Sequence, residues 1–113
     1  MKIRNKTRNT LLSDKCVLAN TFFKRFKGLM GKKKIEPGYA LVITPCNSIH
    51  MFFMRFPIDA VFVDKNNIVL YIVSIKPWHI SKIVHNAVKV IELPVGTSQK
   101  SKTYEGDELV FEE

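Results

Sequence analysis

The stretch IDAVFVDKNNIVLYIVSI, residues 58–75, constrains this chain more than any other. Two runs rich in β-branched and aromatic residues, 58–64 and 68–75, flank Lys65-Asn66-Asn67, whose residue types favour a turn. The pair predicts an antiparallel hairpin. Similar short apolar runs, separated by turn residues, predict strands over 8–12, 15–19, 39–44, 89–94 and 108–112. Ser13-Asp14 is the expected two-residue turn of a second hairpin, joining 8–12 to 15–19. Glu36-Pro37-Gly38 and Glu105-Gly106-Asp107 are further turn signals.

One segment carries a clear helical pattern. In NTFFKRFKGLMG, Asn20 or Thr21 can cap the N-terminus. Phe22, Phe26 and Leu29 recur at helical spacing, with Lys24, Arg25 and Lys27 mostly opposite. Gly28 and Gly31 are candidate stops. TSQKSK, 97–102, is long enough for one helical turn. The expected fold is mainly β (α+β) and forms one domain over residues 1–113. A small antiparallel barrel, or a curled sheet with one short helix packed against it, would cover the sheet edges.

A chain of 113 residues buries about two-thirds of its unfolded surface, which favours a shallow cleft over a deep cavity. No apolar run approaches the roughly 18 residues of a membrane span. MKIRNKTRNTLLSDK has no signal-peptide core, so a cytoplasmic location is expected. Cys16 and Cys46 are then expected as reduced thiols, Cys16 as a buried strand residue. The net charge is +8. That suits a polyanion or simply a solvated lysine-rich surface. Lys24, Arg25, Lys27 and Lys32 to Lys34 form the basic cluster, near Phe22 and Phe23. No RNP, KH or OB-type motif accompanies them, so nucleic acid is open as a partner but not favoured.

FKRFKGLMGKKKIEPGYALVI, CNSIHMFFMRFPIDAVFVDKNNIVLYI, KPW, VIELPVGT and EGDELVF follow one another in this order. The order, and above all the H-x-F-F-M-R-F-P-I-D block, resembles the DUF192 family of small bacterial and archaeal proteins, from about residue 14 to the C-terminus. The resemblance implies a compact β-rich domain. It implies no reaction, because the family has no established one.

The centre of the resemblance, CNSIHMFFMRFPID (46–59), also concentrates the polar chemistry. Cys46, His50 and Met54 are the ligand types that suit a soft metal such as copper, and Cys46 and His50 would also suit zinc. Their spacing opposes a simple site. On a strand, neighbours four apart are separated by about 13 Å, and on a helix all three cannot easily reach one ion. Only a bend, which Pro45, Asn47 and Ser48 favour, could assemble them. A cysteine-hydrolase arrangement would use Cys46 as thiolate, His50 as base and Asp59 or Asn47 as orienter, but such residues rarely lie so close on one segment.

Asp59 falls on an apolar strand face, with Val61 and Val63, and so needs a cation or backbone donors. Arg55 is close in sequence, and His50 could approach if Pro57 folds the chain back. A non-enzymatic small-ligand pocket accommodates these residues best. Asn47, Ser48, His50, Arg55 and Asp59 would supply polar contacts, and Phe52, Phe53 and Trp78 flat apolar surfaces.

Overall fold

The computed structural model describes residues 1–113. The hairpin at the centre of the sequence forms as expected. Strands β5 (Ile58–Val63) and β6 (Val69–Ile75) pair antiparallel, with Asp59 opposite Ser74 and Phe62 opposite Tyr71. Asp64 closes the turn by accepting from the amides of Asn66 and Ile68 at 2.8 and 3.0 Å. Two further strands extend this hairpin. They are β7 (Lys89–Pro94) beside β5, and β4 (Tyr39–Ile43) beside β7, both antiparallel.

The remaining edge departs from the expected hairpin of 8–12 with 15–19. Strand β3 (Lys15–Ala19) pairs parallel with β4, giving a five-stranded sheet in the order β3-β4-β7-β5-β6. Strand β2 (Thr10–Ser13) pairs instead with β1 (Lys2–Asn5), a strand hidden in the basic N-terminus, and β1 pairs with β8 (Leu109–Glu112). The cause lies at Ser13 to Lys15. The amides of Asp14 and Lys15 and the Ser13 hydroxyl all donate to the Gly38 carbonyl, at 3.1, 3.1 and 2.7 Å. These bonds carry the chain from one sheet to the other instead of turning it back. The eight strands form two sheets and do not close into a barrel.

The five-stranded sheet is apolar on both faces. Ala40, Val42, Val61, Val63, Ile91 and Leu93 meet Ile3, Leu12 and Leu109 of the three-stranded sheet. On the opposite face, Leu41, Ile43, Ala60, Phe62 and Val90 lie beneath Ile49, Met51, Met54, Val84 and Ala87. That cover has no regular structure. It is two coils, 46–57 and 76–88, joined by backbone bonds: Met51 N to the His79 carbonyl at 2.8 Å, Trp78 N to Met51 at 2.8 Å, Ser81 N to Ile49 at 2.9 Å and Val84 N to Asn47 at 2.9 Å.

The helix α1 (Phe22–Lys27) starts as expected, with Thr21 Oγ1 accepting from the Lys24 amide at 3.2 Å. It does not pack against the sheet as expected. None of its residues is buried, and Phe22 and Phe26 are 77% and 59% exposed. Gly28 is the reason. Its φ of 50° and ψ of −125° end the helix before Leu29, so Leu29 enters the core from beyond the helix while the phenylalanines stay outside. A second helical turn, α2 (Thr97–Lys100), follows β7.

Candidate functional site

Because α1 stands off the sheet, a pocket of about 260 Å³ opens beneath it. This lies just below the usual range of about 300–1,000 Å³ for small-molecule sites. Phe22, Arg25 and Phe26 of α1 form one wall, and Leu29 and Met30 follow from beyond Gly28. Cys46, Ser48, Ile49, His50 and Met54 form the opposite wall, and Ile43 and Glu92 reach it from the sheet.

The bend that the spacing demanded is present. Pro45 ends β4, and the Cys46 amide then bonds to the Val88 carbonyl at 3.0 Å, so the segment folds over the sheet face as a coil. Cys46, His50 and Met54 therefore line one pocket although no regular backbone would bring them together. No three His, Cys, Asp or Glu side chains are grouped as a metal-ligand set. The Cys46 thiol donates to the Ser48 carbonyl at 3.0 Å, and burial pushes it above the ordinary thiol range. An activated nucleophile needs the opposite shift. His50 Nδ1 accepts from the Phe52 amide at 3.3 Å, which leaves the proton of the neutral ring on Nε2.

Glu92 is the residue that gives the pocket its chemistry, and it was not singled out in the sequence. It lies in β7, between Leu41 of β4 and Ala60 of β5, in the middle of an apolar sheet face. Only 4% of it is exposed, and its Oε1 has no hydrogen-bond partner. None of the three ion pairs involves it. Burial pushes its carboxyl from 4.5 up to about 8. Gly28 lies over it, where a Cβ would stand 3.8 Å from Oε1, in ordinary contact. The signal was available: an acid inside VIELP, between apolar neighbours, is the pattern that drew attention to Asp59.

Asp59 has the opposite environment. Successive strand residues point to opposite faces, so Asp59 shares a face with Val61 and Val63, away from the pocket lined by Glu92. Its Oδ1 accepts from Ser74 Oγ at 2.7 Å. Its Oδ2 accepts from the Gly96 amide, the Ser98 amide and Ser98 Oγ, at 3.1, 3.0 and 2.8 Å. These donors come from β6 and from the start of α2, so the carboxylate ties those elements to β5 without meeting His50.

Of the other residues singled out in the sequence, Ser48 and His50 line the pocket and Asn47, Arg55 and Trp78 do not. Asn47 and Arg55 are exposed on the covering coil. Trp78 belongs to a band of ring contacts that begins at the pocket mouth. Phe22–Phe26, Phe26–His50, His50–Phe52, Phe52–Trp78 and Trp78–Phe53 centroids lie 6.5, 6.0, 5.1, 6.0 and 4.9 Å apart. Phe53 and Trp78 both sit at positive φ, 63° and 68°. Bulky residues seldom adopt that region, and such positions gather at functional sites.

Comparison with known proteins agrees with this fold. The DUF192 family model, described as "Uncharacterized ACR", matches residues 3–111. A UPF0127 protein of Thermococcus sibiricus is 38% identical over 114 residues, covering 96% of this chain and 73% of its own length. A UPF0127 protein of Pyrococcus horikoshii is 38% identical over 113 residues, covering 95% and 96%. A crystal structure of a Novosphingobium aromaticivorans protein of unknown function superposes with a TM-score of 0.84 at 18% identity, over 97% of this chain and 82% of that one, and shares the fold. No helix of this chain is long and apolar enough to cross a membrane. The motifs and the family match together establish that the chain belongs to the DUF192 family.

Proposed function

We propose that this protein binds a small ligand, without transforming it, in the pocket between α1 and the coil 46–54. The observation that carries this reading is Glu92. A buried carboxyl without a partner destabilises a fold by several kcal/mol if charged, and here it faces a pocket that a ligand could fill. His50 and Ser48 supply further polar contacts along one wall, Phe26 and Met54 supply apolar surface, and the ring band offers a platform for whatever protrudes. Asp59, from the same set of candidates, serves as an anchor of the fold beneath α2.

Methionine methyl groups report on this directly. Met30 and Met54 line the pocket, and Met1 does not. With ¹³C-methyl methionine, benzene, indole and 2-phenylethylamine should shift Met30 and Met54 and spare Met1. Shifts absent from Met30 and Met54, or confined to the rings of Phe53 and Trp78, would refute the pocket.

A second reading rests on Cys46, His50 and Met54 lining the same pocket. Thiolate, imidazole and thioether form a set that a soft cation such as Cu(I) prefers. Titration with Cu(I), and with Zn(II) for comparison, should then perturb the Cys46 and His50 resonances in proportion to bound metal. An unchanged spectrum removes this reading.

A further inference from the structure

We propose that the pocket selects a ligand with a cationic nitrogen, an amine or amidine on a small apolar or aromatic body, and that this nitrogen pairs with Glu92. The inference rests on the pocket being a ligand site and adds the class of ligand.

The argument starts from what the pocket lacks. A carboxyl at the centre of an apolar sheet face could be neutralised by a neighbouring Lys or Arg, but none pairs with it. The groups facing it come from three directions. Arg25 and Lys27 come from α1, Cys46 and His50 from the covering coil, and Tyr39 from β4, while Ala60 on β5 is uncharged. Arg25 donates one guanidinium N–H to the Pro45 carbonyl at 3.3 Å, and Lys27 is exposed; neither forms an ion pair. The Cys46 thiol is committed to the Ser48 carbonyl. On Glu92's own strand, Lys89 donates to Asn67 Oδ1 at 2.8 Å.

A neutral ligand could be held there by glutamine, with no ionisable group to bury. What a carboxyl adds is the capacity to become charged, and that charge favours a cationic partner. A charged donor also forms the stronger, shorter hydrogen bond to a carboxylate. The walls suit the same ligand. Phe22 and Phe26 stack at the mouth with centroids 6.5 Å apart, and ring faces attract cations. The net charge of +8 opposes a cation at long range. Added salt screens that repulsion while the buried pair is screened far less.

Protons balance in a defined way. An alkylamine, like lysine, stays charged to about pH 10. Below pH 8 the empty pocket holds Glu92 protonated. Entry of the ammonium group therefore expels that proton to solvent, and the bound pair is ammonium with carboxylate.

The test is calorimetry with 2-phenylethylamine and its neutral counterpart 3-phenylpropanamide, read beside the Met54 methyl shift. The amine should bind about tenfold more tightly per pH unit between pH 6 and 8, and level off above. Heats in buffers of different ionisation enthalpy should show close to one proton released at pH 6.5. E92Q should weaken the amine at least about tenfold at pH 8 and change the amide by less. Amine binding that is flat with pH, or equal in wild type and E92Q, overturns the cation and leaves the pocket standing, as does an amide that binds as tightly at pH 8. If neither compound moves Met54, the pocket itself falls. The wild-type pH profile stands independently of whether E92Q folds.

Discussion

Replacing Glu92 by glutamine should shift relative stability toward the variant as pH rises. In the unfolded chain the carboxyl loses its proton near 4.5, and in the folded chain burial holds the proton to about 8. Between those values the folded state binds more protons than the unfolded state. Stability therefore falls with rising pH, by about 1.4 kcal/mol per unit from this one group. The loss accumulates to about 3 kcal/mol between pH 4.5 and 7 and about 4 kcal/mol by pH 8. Glutamine has nearly the same shape and no such titration. Its buried amide adds only an offset that does not vary with pH. Urea unfolding of wild type and E92Q at intervals from pH 4.5 to 9 measures the difference, in which all other titrating groups are common and cancel. The difference should grow along that slope and flatten above pH 8. A difference that stays constant with pH would show that Glu92 ionises without penalty, and the unpartnered carboxyl on which the ligand site rests would be refuted.

Other variants separate the two buried acids and the thiol. Asp59→Ala removes the acceptor of four hydrogen bonds and should cost about 3 kcal/mol or more. Its melting temperature should fall while probe-induced Met54 shifts persist; loss of those shifts from a folded D59A protein would return Asp59 to the site. Cys46 should be alkylated by iodoacetamide at neutral pH more slowly than a free cysteine, because burial raises its thiol; a faster rate would revive a nucleophilic role.

Local pattern carried the hairpin, the Thr21 cap, the Gly28 stop and the turn at 97–100, because each depends on residues next to one another in sequence. The hairpin expected across Ser13-Asp14 failed because its outcome depends on Gly38, far along the chain, whose carbonyl draws β3 into parallel pairing with β4. The helix forms where its pattern predicts, but its phenylalanines stay outside the core. Phe22, Phe26 and Leu29 share a spacing, but Gly28 breaks the helix before the third of them. The acids show the limit most clearly. Asp59 and Glu92 each interrupt an apolar strand, and nothing local tells them apart. One lies beside Ser74 and the start of α2 and is fully satisfied, while the other lies under a helix that stands off the sheet and is not. Cys46, His50 and Met54 stand too far apart in sequence for any regular backbone to gather them. The coil that gathers them is held by bonds to residues 79–88, which spacing within 46–59 cannot reveal.

The most direct measurement is a crystal structure of the protein soaked at pH 8.5 with whichever probe shifts Met54 most. The account predicts the probe between Phe26 and Met54, with a polar atom within hydrogen-bond distance of the Glu92 carboxyl group. A probe lying only on the Phe52–Trp78 surface, with Glu92 capped by a protein donor, would contradict it.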